Sequence, residues 1–266
     1  MKTVSLVFDY NLEKQKKSGR FWSESGYKNK DFIFEYSAAS FASFLHMNPE
    51  RVHIVDTDDV DFLFSKMKKY NVNLENLDIR DSKDLISEWS SEEYCFWPLL
   101  YHLKHHAESS KDSVVKLDND LTCLKPIDEL KSFKGALAWK FERNVKDGRQ
   151  YWGESFVCRE ALGTDDFLEY NTGVLGISKN NLYIVNDFIE TTKKMLNIDA
   201  SHIIRFPDDP SRRVKNYATS DQTSVNWVFN KYNINVRETH DYFFHHCYAI
   251  DAKENCIKDS KYLLRK

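Results

Sequence analysis

Proline and glycine are scarce in this 266-residue chain, five and eight respectively. They are scattered, so no linker divides the chain, and no repeat or low-complexity tract recurs. A basic excess is also missing. The formal net charge of -3 speaks against a protein that coats nucleic acid, which concentrates positive charge on one face. Cysteine comes as an odd set of five, Cys95, Cys123, Cys158, Cys247 and Cys256, with no C-x-x-C pair for zinc or redox chemistry. There is no N-x-S/T site, and the apolar run at the start stops at Asp9, too short for a signal-peptide core or a membrane span. These absences lead us to expect a cytoplasmic protein with no transmembrane segment and no nucleic-acid partner. The basic end KYLLRK is compatible with peripheral contact with anionic lipid.

What is present is apolar material, 41% hydrophobic and 14% aromatic, enough for one sizeable core over residues 1–266. Strand-like segments fall at 3–9 (TVSLVFD), 51–59 (RVHIVDTDD), near Leu77 to Ile79, and at 113–124, 135–142, 171–178 and 234–238. Helical spacing marks 31–47, 60–70, 181–196 and 220–232, and a further helix after Ser90, where Ser90 and Glu93 form a capping box ahead of YCFWPLLYHL. This alternation predicts an α/β fold with a mainly parallel central sheet flanked by helices. Such sheets bind ligands at the carboxyl ends of their strands.

In VVKLDNDLTCLKP, Asp118 and Asp120 stand where an apolar strand ends. Two hard oxygen ligands there suit Mn²⁺ or Mg²⁺, with positions left for the oxygens of a diphosphate. Alone, D-x-D is a weak signal, and VDTDD at 55–59 offers another match. We read VDTDD as a solvated acidic turn, one of whose carboxylates can line a nucleotide pocket. Lys116 is an unusual occupant of a buried strand.

The stretch LDNDLTCLKPIDEL, followed by EYNTGVLGIS at 169–178, SDQTSVNWVF at 220–229 and FFHHCYA at 243–249, resembles the ordered motifs of GT-A fold (Rossmann-like) glycosyltransferases with a sugar-binding D-x-D region. The likeness covers roughly half of the chain. The helix before the D-x-D departs from it, since CFWPLLYHLKHHAESSKDS has neither the arginine nor the Gly-Gly seen in several such families.

The resemblance implies a nucleotide-binding half over 1–120, an acceptor-side half over 121–266, and a UDP- or GDP-linked sugar donor with a glycan acceptor. Its style leans toward retention. It also implies that Asp120 is the main metal ligand, that Asp118 is a second ligand or a donor contact, and that a late histidine completes the site. His246 is slightly favoured over His245. Asn171 and Gly173 fall where a strand edge meets the sugar and acceptor; Asn offers both hydrogen-bonding senses and Gly a close approach. The plain alternative is an Asn-Thr-Gly turn. Asp165 and Asp166 are sugar-hydroxyl contacts or an exposed turn.

Asp221 and Gln222 open a helix after Ser220, either as an N-terminal cap region or facing the reacting sugar. There Asp221 would be the base of an inverting reaction, or Asp221 or Gln222 would stabilise the transition state of a retaining one. Phe8, Asp9 and Tyr10 close the first strand on the nucleotide side, with core packing the stronger reading of Phe8. The basic loop SRRVKN at 211–216 either closes over the diphosphate or is simply solvated. His102, His105 and His106 are read as core on one helix face rather than as a second metal site.

Other classes fit less well. A sugar nucleotidyltransferase needs a Gly-rich loop after its first strand, where FDYNLEKQKKSGRF has only Gly19 and Arg20. A metal-dependent phosphohydrolase would share the carboxylates, and an inactive glycosyltransferase-like binding protein would share the fold.

Overall fold

A computed structural model describes residues 1–9, 30–90, 97–146, 154–198, 221–246 and 252–265. In chain order its elements are β1 (Lys2–Val7), α1 (Lys30–Met47), β2 (His53–Thr57), α2 (Val60–Met67), β3 (Leu77–Asp81), α3 (Lys83–Trp89), α4 (Trp97–Glu108), β4 (Val114–Leu117), β5 (Leu121–Cys123), β6 (Ala136–Ala138) and β7 (Phe141–Asn144). Then follow α5 (Glu154–Leu162), β8 (Leu168–Tyr170), β9 (Val174–Ile177), α6 (Val185–Leu196), α7 (Asp221–Lys231), β10 (Val236–Glu238), β11 (Phe243–His245) and α8 (Ala252–Leu263).

Seven strands form the central sheet in the order β10-β6-β9-β4-β1-β2-β3. All neighbours are parallel except β9, which runs against both β4 and β6. Helices on both faces explain why β2, β4 and β9 are buried at every residue, as continuous apolar runs in parallel sheets are. On one face Val4, Val114, Leu175 and Ile177 pack under Leu103, Phe188 and Val228 of α4, α6 and α7. On the other, Val7 and Val55 pack under Phe34 and Phe41 of α1 and Leu63 of α2. Truncating a fully buried ring such as Phe34 or Phe188 to alanine removes about 3–5 kcal/mol.

Two departures from the expected pattern shape the site. The strand anticipated over 113–124 breaks at Leu117. Residues 118–120 turn, and β5 leaves the sheet to pair antiparallel with β11. A second ribbon pairs β7 with β8. The helix expected after Ser90 begins at Trp97, so Pro98 sits in its first turn, where a missing N–H breaks no bond; Glu93 lies outside the described residues. Short α3 and the C-terminal α8 were not anticipated. Among the described residues no helix is long and apolar enough to cross a membrane.

Candidate active site

The carboxyl ends of β1, β2, β4 and β6 share one edge of the sheet. Because β9 runs the other way, its beginning, at Gly173, reaches that same edge. Leu117 is paired with Val174, and the Asp118 N–H donates to the Gly173 carbonyl at 2.8 Å. The D-N-D turn and the N-T-G turn are therefore neighbours. The β5/β11 ribbon sets His245 opposite Leu121, beside Asp120.

His245 Nε2 lies 3.1 Å from Asp120 Oδ1 and 3.7 Å from Asp118 Oδ2, and one ligand atom from each of the three residues lies within 4.8 Å of the others. Neighbouring ligands on an octahedral ion with bonds of about 2.1 Å stand roughly 3 Å apart, so the triad fits a hard divalent cation. Asp120 and His245 are buried, while Asp118 keeps 27% of its side chain exposed, leaving one side of the triad open.

The structure sets His245, the alternative, rather than the slightly favoured His246 beside the two carboxylates. Adjacent residues of a strand face opposite ways, and the His246 ring turns to Thr122 Oγ1 at 2.9 Å, with Asp259 3.9 Å away. Its backbone N–H, not its ring, serves the site, donating to the Asp120 carbonyl at 3.1 Å.

Asn171 fixes the His245 ring. Its Oδ1 accepts from the Gly173 N–H and from His245 Nδ1, both at 2.9 Å, and its Nδ2 donates to Glu142 Oε1 at 3.0 Å. A backbone N–H only donates and a carboxylate only accepts, so the amide orientation is determined. Nδ1 then carries a proton and Nε2 faces Asp118 and Asp120, the orientation an outer partner gives to a metal-binding histidine. Gly173 was expected to admit a ligand. What approaches it is the imidazole itself.

Gln222 Nε2 donates to Glu142 Oε2 and Glu169 Oε1, each at 2.8 Å, and Gln222 Oε1 accepts from the Thr172 N–H at 3.4 Å. Glu169 is buried, with Arg143 at 3.2 Å and Thr223 Oγ1 at 3.0 Å. Burial pushes its carboxyl above the usual range, partly offset by Arg143, Gln222 and Thr223. One turn on, Asn226 bonds the Tyr170 N–H and carbonyl at 3.1 and 2.8 Å, clamping α7 onto β8. A continuous polar chain thus runs from His245 through Asn171, Glu142 and Gln222 to Glu169. Glu142 belongs to no motif, and Glu169, although it opens EYNTGVLGIS, is not marked by that motif as a site residue.

Lys116 Nζ lies 2.6 Å from Asp118 Oδ1. Burial pushes this ammonium down, but Asp118, Asp221 and Asp120 outweigh it and hold it above its ordinary value. Asp221 therefore shares the field of the D-x-D carboxylates.

The remaining anticipated residues are placed unevenly. Phe8 is buried against Leu6, Ile86 and Trp89, which is core packing rather than a stacking platform. The Asp9 N–H donates to Asp58 Oδ2 at 3.1 Å. Burial pushes the Asp58 carboxyl up, and its Oδ1 is buried without a partner among the described residues, so VDTDD is more than a solvated turn. Asp59 caps α2 through the Phe62 N–H. Asp166 is exposed and bound to Asn144 and Lys146, at the end of the β7/β8 ribbon away from Asn171. Tyr10 and the basic loop 211–216 lie outside the described residues.

A cavity of about 840 Å³ opens beside His245, lined by Trp139, Lys140, Phe141, Glu238 and Phe244 among others. Phe141 and Phe244 are 45% and 50% exposed, and apolar ring faces of this kind suit stacking partners.

No protein-family model and no curated protein sequence matches the chain. Among solved structures it is similar to the galactosyltransferase LgtC, in complex with donor and acceptor sugar analogues, at 12% identity and a TM-score of 0.50, with 100% of this chain and 95% of that chain covered. It is also similar to the apo form of mouse xyloside xylosyltransferase 1, at 11% identity and a TM-score of 0.50, with 90% and 84% covered. The fold is thus the α/β GT-A fold, its mostly parallel sheet flanked by helices.

Proposed function

We propose that this chain is a metal-dependent glycosyltransferase, moving a sugar from a UDP- or GDP-linked donor onto a glycan acceptor. The observation that carries the proposal is the meeting of Asp118, Asp120 and His245 at the carboxyl edge of a GT-A sheet. These residues would hold Mn²⁺ or Mg²⁺, which when bound neutralises the diphosphate as the nucleotide leaves.

Asp9 and Asp58, at the ends of β1 and β2, form the nucleotide side, within a 1–120 half of one 1–266 domain. The cavity beside His245, with Phe141 and Phe244, is the acceptor side, where the aromatic faces receive a sugar ring. Gln222 has both amide hydrogens engaged by Glu142 and Glu169, so its role is to position these carboxylates. Asp221 is then the group that faces the reacting sugar, stabilising positive charge in a retaining transfer, the stereochemical course we favour. The setting we propose is cytoplasmic.

The experiment is a thermal-shift panel of UDP, GDP, CMP and their sugar conjugates, each with Mn²⁺ or with EDTA. Ligands that bind only the folded chain raise its melting temperature. A shift with one nucleotide that needs Mn²⁺ is expected and names the donor base. No shift with any of them overturns the proposal.

A further inference from the structure

We propose that Asp56, His102 and His106 form a second, buried site for a divalent transition-metal ion, zinc by its ligand chemistry, that pins α4 to β2. The sequence reading took this helix face as core packing, and burial is indeed complete: Asp56 is 3% exposed and both histidines 0%. The arrangement is not what apolar packing produces. His102 and His106 are four residues apart, so one helix face presents both. Their Nε2 atoms converge on the same oxygen, Asp56 Oδ2, at 2.9 and 2.6 Å. The other oxygen, Oδ1, accepts from Ser82 Oγ at 2.6 Å, which fixes the carboxylate plane as outer partners of metal ligands do.

The charge balance is the second observation. Asp56 Oδ2 faces both imidazoles and Oδ1 accepts from Ser82, so each described partner of this buried carboxylate is a hydrogen-bond donor. Among the described residues no lysine or arginine pairs with it. A buried charge left in that state is strongly unfavourable. A divalent ion supplies the counter-charge, and two imidazoles with one carboxylate are a borderline-soft set that favours zinc over the hard ions suited to Asp118 and Asp120.

The protons balance without loss. Each ring now donates from Nε2 to Asp56 Oδ2; ligation replaces those two hydrogen bonds with bonds to the metal and leaves each ring its proton on Nδ1. Both Nδ1 atoms are buried without a partner, so no bond at Nδ1 is lost. Neighbouring ligands of a tetrahedral zinc stand about 3.3 Å apart, so the two rings and the carboxylate separate by less than an ångström from their proton-bridged positions. Water takes the fourth position. Trp89, whose ring centroid is 6.1 Å from that of His102, brings α3 against the same site, and α4 leads directly into the strand that ends in Asp118.

The test separates this site from the one at Asp118 and Asp120. The double variant Asp118→Asn/Asp120→Asn is incubated with zinc, passed through gel filtration and its metal content measured. About one zinc per chain is expected, together with a zinc-induced rise in melting temperature. Adding His102→Gln and His106→Gln in that background is expected to lower the content at least tenfold. In the unaltered chain, Co²⁺ in the presence of excess Mg²⁺ should give the visible absorption of a four-coordinate nitrogen and oxygen site. Absence of retained zinc and of any zinc-induced shift in the first variant overturns the proposal, as does zinc retained equally after both histidines are replaced. If the histidine variants do not fold, the first variant and the Co²⁺ spectrum decide alone.

Discussion

A Cβ placed on Gly173 would lie 2.3 Å from both Cε1 and Nδ1 of His245. The imidazole beside Asp120 therefore rests directly on bare backbone. The contact sits between two turns that the β4/β9 pairing already holds together, so neither partner has room to retreat.

Gly173→Ala is accordingly expected to displace the ring from Asp120 and to weaken Mn²⁺ binding at least tenfold, about 1.4 kcal/mol or more. The far-ultraviolet circular dichroism should be unchanged. A Mn²⁺ titration of the donor-induced thermal shift reads the effect. An alanine variant with native Mn²⁺ affinity would remove His245 from the metal site.

The two histidines of FFHH separate by the same logic. His245→Gln should abolish the metal-dependent shift, as should Asp120→Ala. His246→Gln should leave the Mn²⁺ requirement intact while costing about 1 kcal/mol of stability through its bond to Thr122. Chemical denaturation and metal titration of both variants provide the check. The reverse pattern would restore the assignment that the sequence favoured.

That choice between neighbouring histidines shows where the sequence stops being informative. Asp118 and Asp120 were legible because an apolar strand ending in paired carboxylates is a local pattern. Asp221 and Gln222 stand out only through the resemblance of SDQTSVNWVF, since a helix start alone reads as a cap region. Which of His245 and His246 faces the carboxylates depends on the register of β11 against β5, and a one-residue slip exchanges the two faces. The meeting of Glu142 and Glu169 was invisible for a related reason. They meet only because β7 and β8 pair and Asn226 clamps α7 to Tyr170, contacts that no short motif encodes. The antiparallel β9 was read only as one more strand, since direction within a sheet leaves no trace in an apolar run.

Lys116 occupies the site as a built-in cation. Lys116→Met is expected to act in opposite directions with and without metal. In EDTA the variant leaves Asp118, Asp120 and Asp221 without their ammonium, and its melting temperature should fall, by an amount corresponding to about 3–5 kcal/mol for the broken pair. In saturating Mn²⁺ the lost competitor for Asp118 should make the metal-induced rise larger than in the unaltered chain. Equal metal-induced shifts in the two proteins would show that Lys116 does not compete for the site.

His53 makes the last prediction, on acid stability. Its ring is fully buried between Phe41 and Phe44, with centroids 5.3 and 4.8 Å away, and neither nitrogen has a partner among the described residues. Burial, with a smaller contribution from His102, pushes it from 6.5 down to about 3. A base depressed in this way takes up its proton in the unfolded chain first. Its contribution to stability is full above pH 6.5 and is lost progressively as the pH falls toward 3. One proton of difference corresponds to a slope of about 1.4 kcal/mol per pH unit. His53→Leu removes that proton while leaving every other titrating group in place, and it breaks no hydrogen bond. Urea unfolding at a series of pH values should show the variant at least as stable as the unaltered chain at pH 7. Between about pH 6 and 4 its stability should fall less steeply, by roughly that slope. Parallel acid limbs in the two proteins would mean that His53 reaches solvent, or a proton acceptor, before the chain unfolds.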